Sequence, residues 1–349
     1  MKILMVGLGG VGQRHLRNLK SALGEDLEPM AYRVRGHGTV LTDNLEVSAG
    51  KDIEEEYGIT VFRDLDEALA QGPRAVFICN PTSHHAEVAL AAAAAGCHLF
   101  IEKPLSHSLE HLDTLAGLVM DNALVAMVGY QLRFHPTLMR AAAVLREGTL
   151  GQIVAARIEV GEYMPGWHPY EDYRQMYAAR KDLGGGVVLS QIHELDYLYW
   201  FFGVPSRLFA VGGHLSDLEV DVEDSATSLL EYEIGGRGVP VTVHQDYIER
   251  PPSRTCKIVG DRGTLLIDLR LPRLEVFDPQ GHLLESMEDR SFQRNQLFED
   301  EVRHFLRCMA GQESPAVSID DGAQSLRMAL AIKESMATGR TVNLSGGWA

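Results

Sequence analysis

The chain has few cysteines and no long apolar run, and both absences limit its class. Four cysteines occur in 349 residues. None forms a C-x-x-C pair, so we expect neither a disulfide framework nor a metal site. No run of 18 apolar residues is present, which predicts that the chain has no membrane partner. The opening residues MKILMVG lack a signal-peptide pattern, so we expect a cytoplasmic protein with reduced thiols.

Basic residues are also scarce. Lys and Arg total 32 against 48 Asp and Glu, for a formal net charge of -16. An acidic surface repels phosphate backbones, so we expect no nucleic-acid partner. The hydrophobic fraction of 45% is enough for an ordinary core. The length predicts two domains.

Residues 1–129 alternate short apolar strands with helical patterns. This alternation predicts a parallel sheet covered on both faces, that is, an α/β Rossmann domain that binds a dinucleotide. Strands are predicted at residues 2–6, 29–34, 59–62, 75–79, 99–101 and 124–128. Helices are predicted at residues 12–23, 66–70, 84–95 and 109–121.

Residues 130–349 have strands of period two, which predict an α+β domain with a large, mostly antiparallel open sheet. The predicted strands are 153–160, 225–232, 239–247, 255–259 and 264–268, and the helices are 136–146, 189–202, 298–309 and 320–338. We assign substrate binding and oligomerisation to this domain. An open sheet needs a cover, and a second copy of the same sheet could supply it. We therefore expect a homodimer or homotetramer.

A G-x-G-x-x-G pattern lies between the first strand and the first helix, which is the context in which it predicts a dinucleotide site. Gly7 permits a tight turn, Gly9 lets a pyrophosphate approach, and Gly12 allows close helix–strand packing. The helix N-terminus adds free N–H groups for phosphates. We therefore expect Gly7, Gly9, Gly10, Val11 and Gly12 to bind the cofactor.

The end of the second strand bears on which dinucleotide is bound. An NAD site usually has an acidic residue about 20 positions after the last glycine. The segment AYRVRGH at residues 31–37 instead contains Arg33 and Arg35. A guanidinium suits a 2′-phosphate, so NADP is favoured over NAD. The alternative is that these arginines are solvated or stack on adenine.

Polar residues follow the fourth and fifth strands, where ligands bind in open parallel sheets. Lys103 is therefore expected near the nicotinamide. The residues predicted to bind the cofactor here are Asn80, Pro81, Thr82, His85, Glu102 and Lys103.

With the glycine loop, these segments resemble the glucose–fructose oxidoreductase / inositol dehydrogenase / rhizopine catabolism (Gfo/Idh/MocA) family over nearly the whole chain. Residues 102–104 match its E-K-P motif, and residues 80–85 and 129–136 resemble two further segments. Residues 184–186, followed by His193 and Asp196, resemble its G-G-G…D-x-x-H stretch. The resemblance implies a catalytic Lys–Asp–His set. Lys103 and His193 carry over, but Ser190 stands where Asp is expected.

Alcohol oxidation requires a base that removes the hydroxyl proton while hydride leaves. His193 suits this role, and Lys103 could stabilise the developing alkoxide. Ser190 adds no charge, and Glu194 points to another side of the helix. Either an acid comes from elsewhere, or His193 has a lower pKa than its counterparts. The alternative for His193 is a buried structural histidine.

The segment 163–174 is rich in aromatic and polar side chains, which suit a carbohydrate; the alternative is an irregular packed loop. The predicted substrate residues are Tyr163, Trp167, His168, Tyr173, Arg174, Ser190 and Arg133, with Arg133 and Arg180 as candidates for an anionic group.

The predicted activity is hydride transfer between NAD(P) and a secondary alcohol or ketone of a sugar, sugar acid, cyclitol or nucleotide sugar. A non-catalytic cofactor-bound sensor is one alternative. A redox-neutral epimerase or lyase that oxidises its substrate transiently is the other.

Overall fold

A six-stranded parallel sheet forms the first half of the chain in the computed structural model, which describes residues 1–34, 38–42 and 45–345. Its strand order is β5-β2-β1-β6-β7-β8. The elements are β1 (Lys2–Val6), α1 (Gly10–Leu23), β2 (Glu28–Tyr32), β3 (Thr39–Leu41), β4 (Val47–Asp52), α2 (Ile53–Tyr57), β5 (Thr60–Phe62), α3 (Leu65–Leu69), β6 (Ala75–Ile78), α4 (His85–Ala94), β7 (His98–Glu102), α5 (Leu112–Asp121) and β8 (Ala126–Gly129). Every residue of β6 is buried, as expected for a strand covered on both faces.

The hairpin β3–β4 was not predicted, because its short strands lack an alternating apolar pattern. A side chain of α1 holds it in place: Gln13 Nε2 donates to the Thr39 carbonyl at 3.0 Å. Gln13 Oε1 accepts the Leu41 N–H at 2.8 Å. The amide thus pairs with β3 as a neighbouring strand would, and the hairpin lies against the first turns of α1.

A nine-stranded sheet dominates the second half, in the order β16-β15-β14-β13-β9-β12-β11-β10-β17. The elements are α6 (Pro136–Arg146), β9 (Ile153–Gly161), α7 (Val187–Ser190), α8 (His193–Phe202), β10 (Arg207–Gly213), β11 (Ser225–Ile234), β12 (Arg237–Asp246), β13 (Ser253–Gly260), β14 (Gly263–Asp268), β15 (Arg273–Phe277), β16 (Leu283–Glu288), α9 (Asn295–Met309), α10 (Ile319–Thr338) and β17 (Val342–Asn343). Strands β12 and β9 are parallel, and the other pairs are antiparallel. The predicted fold class, a Rossmann sheet followed by a mostly antiparallel sheet, is confirmed.

The predicted helix 189–202 is wrong in one respect, because it is broken into α7 and α8. The carbonyl of Gln191 accepts a hydrogen bond from Gln245 Nε2 at 2.8 Å. The Gln191 side chain donates in turn to the Asp246 carbonyl at 2.8 Å. These reciprocal contacts with β12 take Gln191 out of the helix. The break makes His193 the first residue of α8.

The last two helices return to the first half of the chain. Helix α9 packs against α1, and α10 packs against α8, β10 and β8. A Cβ on Gly322 would lie 2.7 Å from Val128, so α10 and β8 are in close contact. The four cysteines are free and buried. Among the described residues, no helix has the length and apolar character that crossing a bilayer requires.

Candidate active site

One cavity of about 1360 Å³ joins the glycine loop to the second half of the chain. The predicted residues that line it are Gly7, Gly9, Gly10, Val11, Arg33, Asn80, Pro81, Thr82, His85, Glu102, Lys103, Tyr163, Trp167, His168, Arg180, Ser190 and His193. Gly12, Arg133, Tyr173 and Arg174 do not line it. Arg35 lies outside the described residues. The cavity therefore brings together most of the residues that the sequence indicated.

The glycine loop is pressed against the end of β6. Gly7 has a φ of 91°, and a Cβ there would lie 2.8 Å from the Asn80 nitrogen. A Cβ on Gly12 would lie 2.2 Å from the Gly7 carbonyl oxygen. Gly9 caps α1 without a side-chain hydrogen bond, and the first turn contains no acidic residue. The loop therefore fits a diphosphate, because its helix N-terminus is open to an anion.

The aromatic segment approaches the glycine loop. A Cβ on Gly10 would lie 3.0 Å from the Tyr170 hydroxyl and 2.9 Å from Leu45 of the β3–β4 connection. Tyr170 stacks on His168 with ring centroids 5.3 Å apart. His168 in turn contacts the Glu171 carboxylate at 2.7 Å. Burial, and then the charge of Glu171, raise the pKa of Tyr170. His168, predicted to bind substrate, is therefore stacked on a tyrosine that lies beside the glycine loop.

Arg33 follows β2 and lines the cavity, but it has a carboxylate partner. Its Nη1 lies 3.2 Å from Glu54 Oε1 on α2. Its carbonyl accepts a hydrogen bond from Arg63 Nη1 at 2.8 Å. Residues 31–37 contain no carboxylate, but the fold brings the carboxylate of Glu54 to Arg33.

His85 braces the ends of two strands. Its two ring nitrogens lie 2.8 Å from the carbonyls of Asn80 and Pro104. Burial lowers its pKa against the opposing effect of these carbonyls. A neutral imidazole has one N–H, so it can donate to one of the two at a time. His85 thereby ties the segment after β6 to the segment after β7.

Glu102 positions the residue that follows it. One carboxylate oxygen contacts His15 Nε2 of α1 at 2.6 Å. The other accepts the Lys103 backbone N–H at 3.2 Å. Glu102 is largely buried in the cavity wall, where its carboxylate supports the Lys103 backbone.

Lys103 points across the cavity to α7. Its Nζ donates to the Ser190 carbonyl oxygen at 2.8 Å. Ser190 is the last residue of α7, where carbonyls lack a partner within the helix. Ser190 thus acts on Lys103 through its backbone. This contact is independent of the side chain that replaces the expected Asp.

His193 is buried, and its Nδ1 makes no hydrogen bond within the described part of the chain. Burial lowers its pKa well below the usual value, and Lys103, Arg254 and Arg294 lower it further. The imidazole is therefore neutral near pH 7 and can accept a proton. Glu194 faces away, as expected, and binds Arg254 through two contacts of 2.7 and 3.0 Å.

The expectation that Arg133 meets a ligand is wrong. Its Nε and Nη2 donate to the two carboxylate oxygens of Asp196 at 2.7 and 2.9 Å. Its guanidinium carbon lies 5.0 Å from the Trp200 ring centroid. Both charges of this pair are nearly inaccessible. Arg133 therefore links the short 3-10 helix Gln131–Phe134, which precedes α6, to α8, outside the cavity.

Two residues of the aromatic segment are also misassigned by the sequence. Arg174 forms ion pairs with Asp172 and Glu219 at the surface. The Tyr173 hydroxyl accepts the Glu219 N–H at 3.2 Å. These contacts hold the segment 172–174 against residue 219, away from the cavity.

The sequence did not indicate four further arginines that line the cavity, Arg14, Arg254, Arg270 and Arg294. Arg254 had a signal, because it shares a face of β13 with buried Cys256 and Ile258. Arg294 had none, since it stands directly before α9, far along the chain from the motifs.

The fold and the cavity define a class, an oxidoreductase with a dinucleotide-binding Rossmann fold. Residues 1–130 match the family described as "Oxidoreductase family, NAD-binding Rossmann fold". Residues 138–266 match the "GFO/IDH/MocA C-terminal domain". The chain therefore belongs to the Gfo/Idh/MocA family, which confirms the resemblance stated from its motifs.

Two curated relatives and one solved structure extend over almost the whole chain. Myo-inositol 2-dehydrogenase of Thermotoga maritima is 27% identical, covering 99% of this chain and 98% of that protein. The scyllo-inositol 2-dehydrogenase (NAD(+)) of Bacillus subtilis is 24% identical, covering 99% and 96%. Levoglucosan dehydrogenase, solved with NADH and levoglucosan, has a TM-score of 0.80 at 20% identity, covering 99% and 100%.

Proposed function

We propose that the protein is a nicotinamide-dependent dehydrogenase or reductase. Its substrate is a secondary alcohol, or the matching ketone, of a sugar, sugar acid, cyclitol or nucleotide sugar. The observation that carries the proposal is the meeting of Lys103, neutral His193 and an anion-binding glycine loop in one cavity. The two inositol dehydrogenases, similar along their whole length, support the substrate class.

The residues have separate roles in this proposal. The glycine loop and the segment 80–82 hold the dinucleotide, which supplies the hydride acceptor or donor. His193 accepts the hydroxyl proton, or donates it in the reverse direction. Lys103, held by the Ser190 carbonyl, donates a hydrogen bond to the reacting oxygen and stabilises its negative charge.

Nicotinamide absorbance with a panel of sugars, sugar acids and cyclitols tests this function, with NAD and NADP in parallel. The variant Lys103→Met should lower kcat by roughly 100- to 1000-fold, the usual cost of losing one charge-stabilising donor. Cofactor affinity should stay nearly unchanged. Lys257→Met, which removes an exposed lysine of β13, is the matched control. Full activity in Lys103→Met would contradict the role of Lys103.

We also propose NADP as the preferred cofactor, with Arg33 and Arg35 as the candidate readers of the 2′-phosphate. Arg33 supports this because it lines the cavity just after β2. Glu54 opposes it, since its carboxylate already contacts Arg33. Arg33→Gln should therefore weaken NADP more than NAD, and Glu54→Gln should strengthen NADP. Equal effects on both cofactors in titrations would reject the preference.

A redox-neutral reaction is the second candidate. Tyr170 and Leu45 crowd Gly10, so they can enclose a bound pyrophosphate and slow its release. A cofactor that is kept and recycled suits an epimerase or lyase. Product analysis without net absorbance change, in protein that is purified with cofactor, would favour this function over the first.

We further propose a homodimer or homotetramer formed through the open sheet. Phe209 of β10 and Leu229 of β11 are cross-strand neighbours, and both are exposed. Val211 extends this apolar patch on β10. Light scattering after size exclusion should give a multiple of the 38.5 kDa chain mass. Leu229→Asp should shift that mass toward the monomer, whereas a monomeric parent protein would contradict the proposal.

A further inference from the structure

Glu301 is a buried acid that has no part in the roles proposed above. It lies in α9, and none of its surface is accessible to solvent. Within the described part of the chain, neither of its carboxyl oxygens has a hydrogen-bond partner. An ionised carboxylate enclosed in this way is very costly, whereas a protonated carboxyl needs only one acceptor for its hydrogen. Glu301 is therefore a neutral acid that requires a polar partner.

The face of α9 that contains Glu301 is directed at His15 of α1. Phe298, three residues earlier, has its ring centroid 5.8 Å from that of His15. The ring of Phe305, four residues later, lies 5.6 Å from Phe100, which in turn lies 4.8 Å from His15. Residues three and four apart share a face of a helix, so the Glu301 side chain lies between these two contacts. It therefore points into the surroundings of His15.

His15 has a polar atom that matches this requirement. The ring is enclosed, and its Nδ1 has no hydrogen-bond partner among the residues that the structure describes. Its Nε2 lies 2.6 Å from Glu102 Oε1. Donation from Nε2 to the Glu102 carboxylate leaves Nδ1 as an acceptor. A buried acid that lacks an acceptor thus lies on the helix face directed at a buried imidazole that lacks a donor.

The charges around Glu301 also favour its protonated form. Burial raises its pKa well above the usual value, and the negative charges of Glu102 and Asp196 raise it further. Asp196 of α8 already has Arg133 as its partner. Burial, Glu102 and Glu301 in turn raise the pKa of the Cys79 thiol. The charged groups nearest to Glu301 are therefore of like sign, which opposes its ionisation.

We propose that Glu301 is a positioning residue for Lys103, and that it donates a hydrogen bond as a protonated acid toward His15 Nδ1. Because the two side chains make no direct hydrogen bond, one ordered water completes the link. His15 then presents its Nε2 hydrogen to Glu102 in one fixed orientation. Glu102 remains a carboxylate and accepts the Lys103 backbone N–H at 3.2 Å. This inference rests on the proposed oxidoreductase function, in which Lys103 stabilises the reacting oxygen.

The link matters for catalysis because Lys103 directly follows Glu102. A change in the orientation of that carboxylate shifts the Lys103 backbone, and with it the Nζ that lies 2.8 Å from the Ser190 carbonyl. A group that acts on the reacting atoms can lose about 100-fold in rate when it is misplaced by roughly 1 Å. Substrate affinity depends on other residues of the cavity, so the loss should appear in kcat and hardly in KM.

The first test compares two substitutions at position 301. Glu301→Gln is uncharged and keeps a hydrogen-bond donor of the same reach, so it should retain most of kcat. Glu301→Leu has a similar volume but no donor, and it should lower kcat by about 10- to 100-fold. Asp300→Leu is the matched control, since it removes the neighbouring carboxyl, whose partner is Gln296 at the exposed surface of α9. It should behave like the parent enzyme.

Two spectroscopic measurements do not depend on turnover. The infrared C=O band of a protonated carboxyl should be present in the parent protein and in Asp300→Leu, and it should be lost in Glu301→Gln. In protein prepared with isotope-labelled lysine, the Lys103 amide signal is assigned by its disappearance in Lys103→Met. This signal should move in Glu301→Leu and stay in place in Glu301→Gln and Asp300→Leu.

The outcomes separate failure of this inference from failure of the proposed function. An unmoved Lys103 amide and an unchanged kcat in Glu301→Leu, together with a higher Tm, would overturn the inference and leave the oxidoreductase intact, because apolar replacement of a partnerless acid is neutral or stabilising. Equal losses in Glu301→Gln and Glu301→Leu would also overturn it, since the carboxyl would then act as an anion. A Lys103 amide that moves only in Glu301→Leu, without turnover of any substrate by the parent protein, would overturn the proposed function and keep the link. An unmoved amide without turnover would overturn both.

Discussion

The buried pair of Glu194 and Arg254 is the best place to test how the second half supports the cavity. Glu194 is inaccessible to solvent, and the Arg254 side chain is 17% exposed. Two short contacts join the carboxylate to the guanidinium. Glu194→Gln would keep the shape of the side chain but remove its charge. Arg254 would then stay charged in an enclosed position without a carboxylate.

The expected cost follows from this geometry. Removing one partner of a buried ion pair costs about 3–5 kcal/mol. With an unfolding entropy of roughly 2.1 cal/mol/K per residue, that loss lowers Tm by about 4–7 °C for a chain of 349 residues. The double variant Glu194→Leu/Arg254→Met should regain most of the loss, because an apolar replacement of similar volume removes both desolvation penalties.

Differential scanning calorimetry measures these shifts. The surface pair of Arg140 and Glu285, whose side chains are 32% and 34% exposed, is the control. Glu285→Gln should cost about 1 kcal/mol or less, since solvent screens exposed pairs. A Tm for Glu194→Gln as high as that for Glu285→Gln would refute the reasoning. A double variant as unstable as Glu194→Gln would refute the assignment of the loss to the stranded Arg254.

Three further outcomes are expected. Burial, followed by the charge of Arg254, lowers the pKa of His135 to about 4. The neutral imidazole therefore contributes roughly 3 kcal/mol to the free energy of unfolding above the unfolded pKa of about 6.5, and this contribution is lost as pH falls toward 4. His135→Asn, measured by thermal unfolding across that range, should flatten the loss, and an unchanged pH dependence would contradict this. Gly12→Ala should abolish cofactor binding in fluorescence titrations because its Cβ meets the Gly7 carbonyl, whereas Gly117→Ala, in open space on α5, should leave it intact; equal losses would point to general damage. His193→Asn should lower kcat by roughly 100- to 10,000-fold and remove an acid limb of the rate profile that lies below pH 6.5, because the lowered pKa keeps the imidazole neutral above that pH; a surviving limb would assign the base to another residue.

Local sequence patterns predicted the features that depend only on residues close together along the chain. The glycine loop, the strand ends at Asn80 and Lys103, and the alternation of the large sheet were all readable, because a turn or a strand is specified within a few residues. The break before His193 was not readable. It depends on a side-chain exchange between Gln191 and Gln245, which are more than fifty positions apart.

Charge pairing could not be predicted from the sequence at all. Arg133 looked available for a ligand, yet Asp196 holds it, and residues 31–37 looked free of acid, yet Glu54 meets Arg33. Arg294 carried no signal, yet it lines the cavity. Ion pairs join residues from distant elements, so their partners exist only after the elements pack.

The sequence by itself determined the fold class, and it predicted the phosphate-binding loop and the two candidate catalytic residues, because these follow from local patterns. Only the tertiary structure decided the electrostatics of the site. It placed Lys103 on the Ser190 carbonyl and surrounded His193 with positive charge. The physical reason is that burial and packing set a pKa and a charge balance, and both are properties of the folded surroundings.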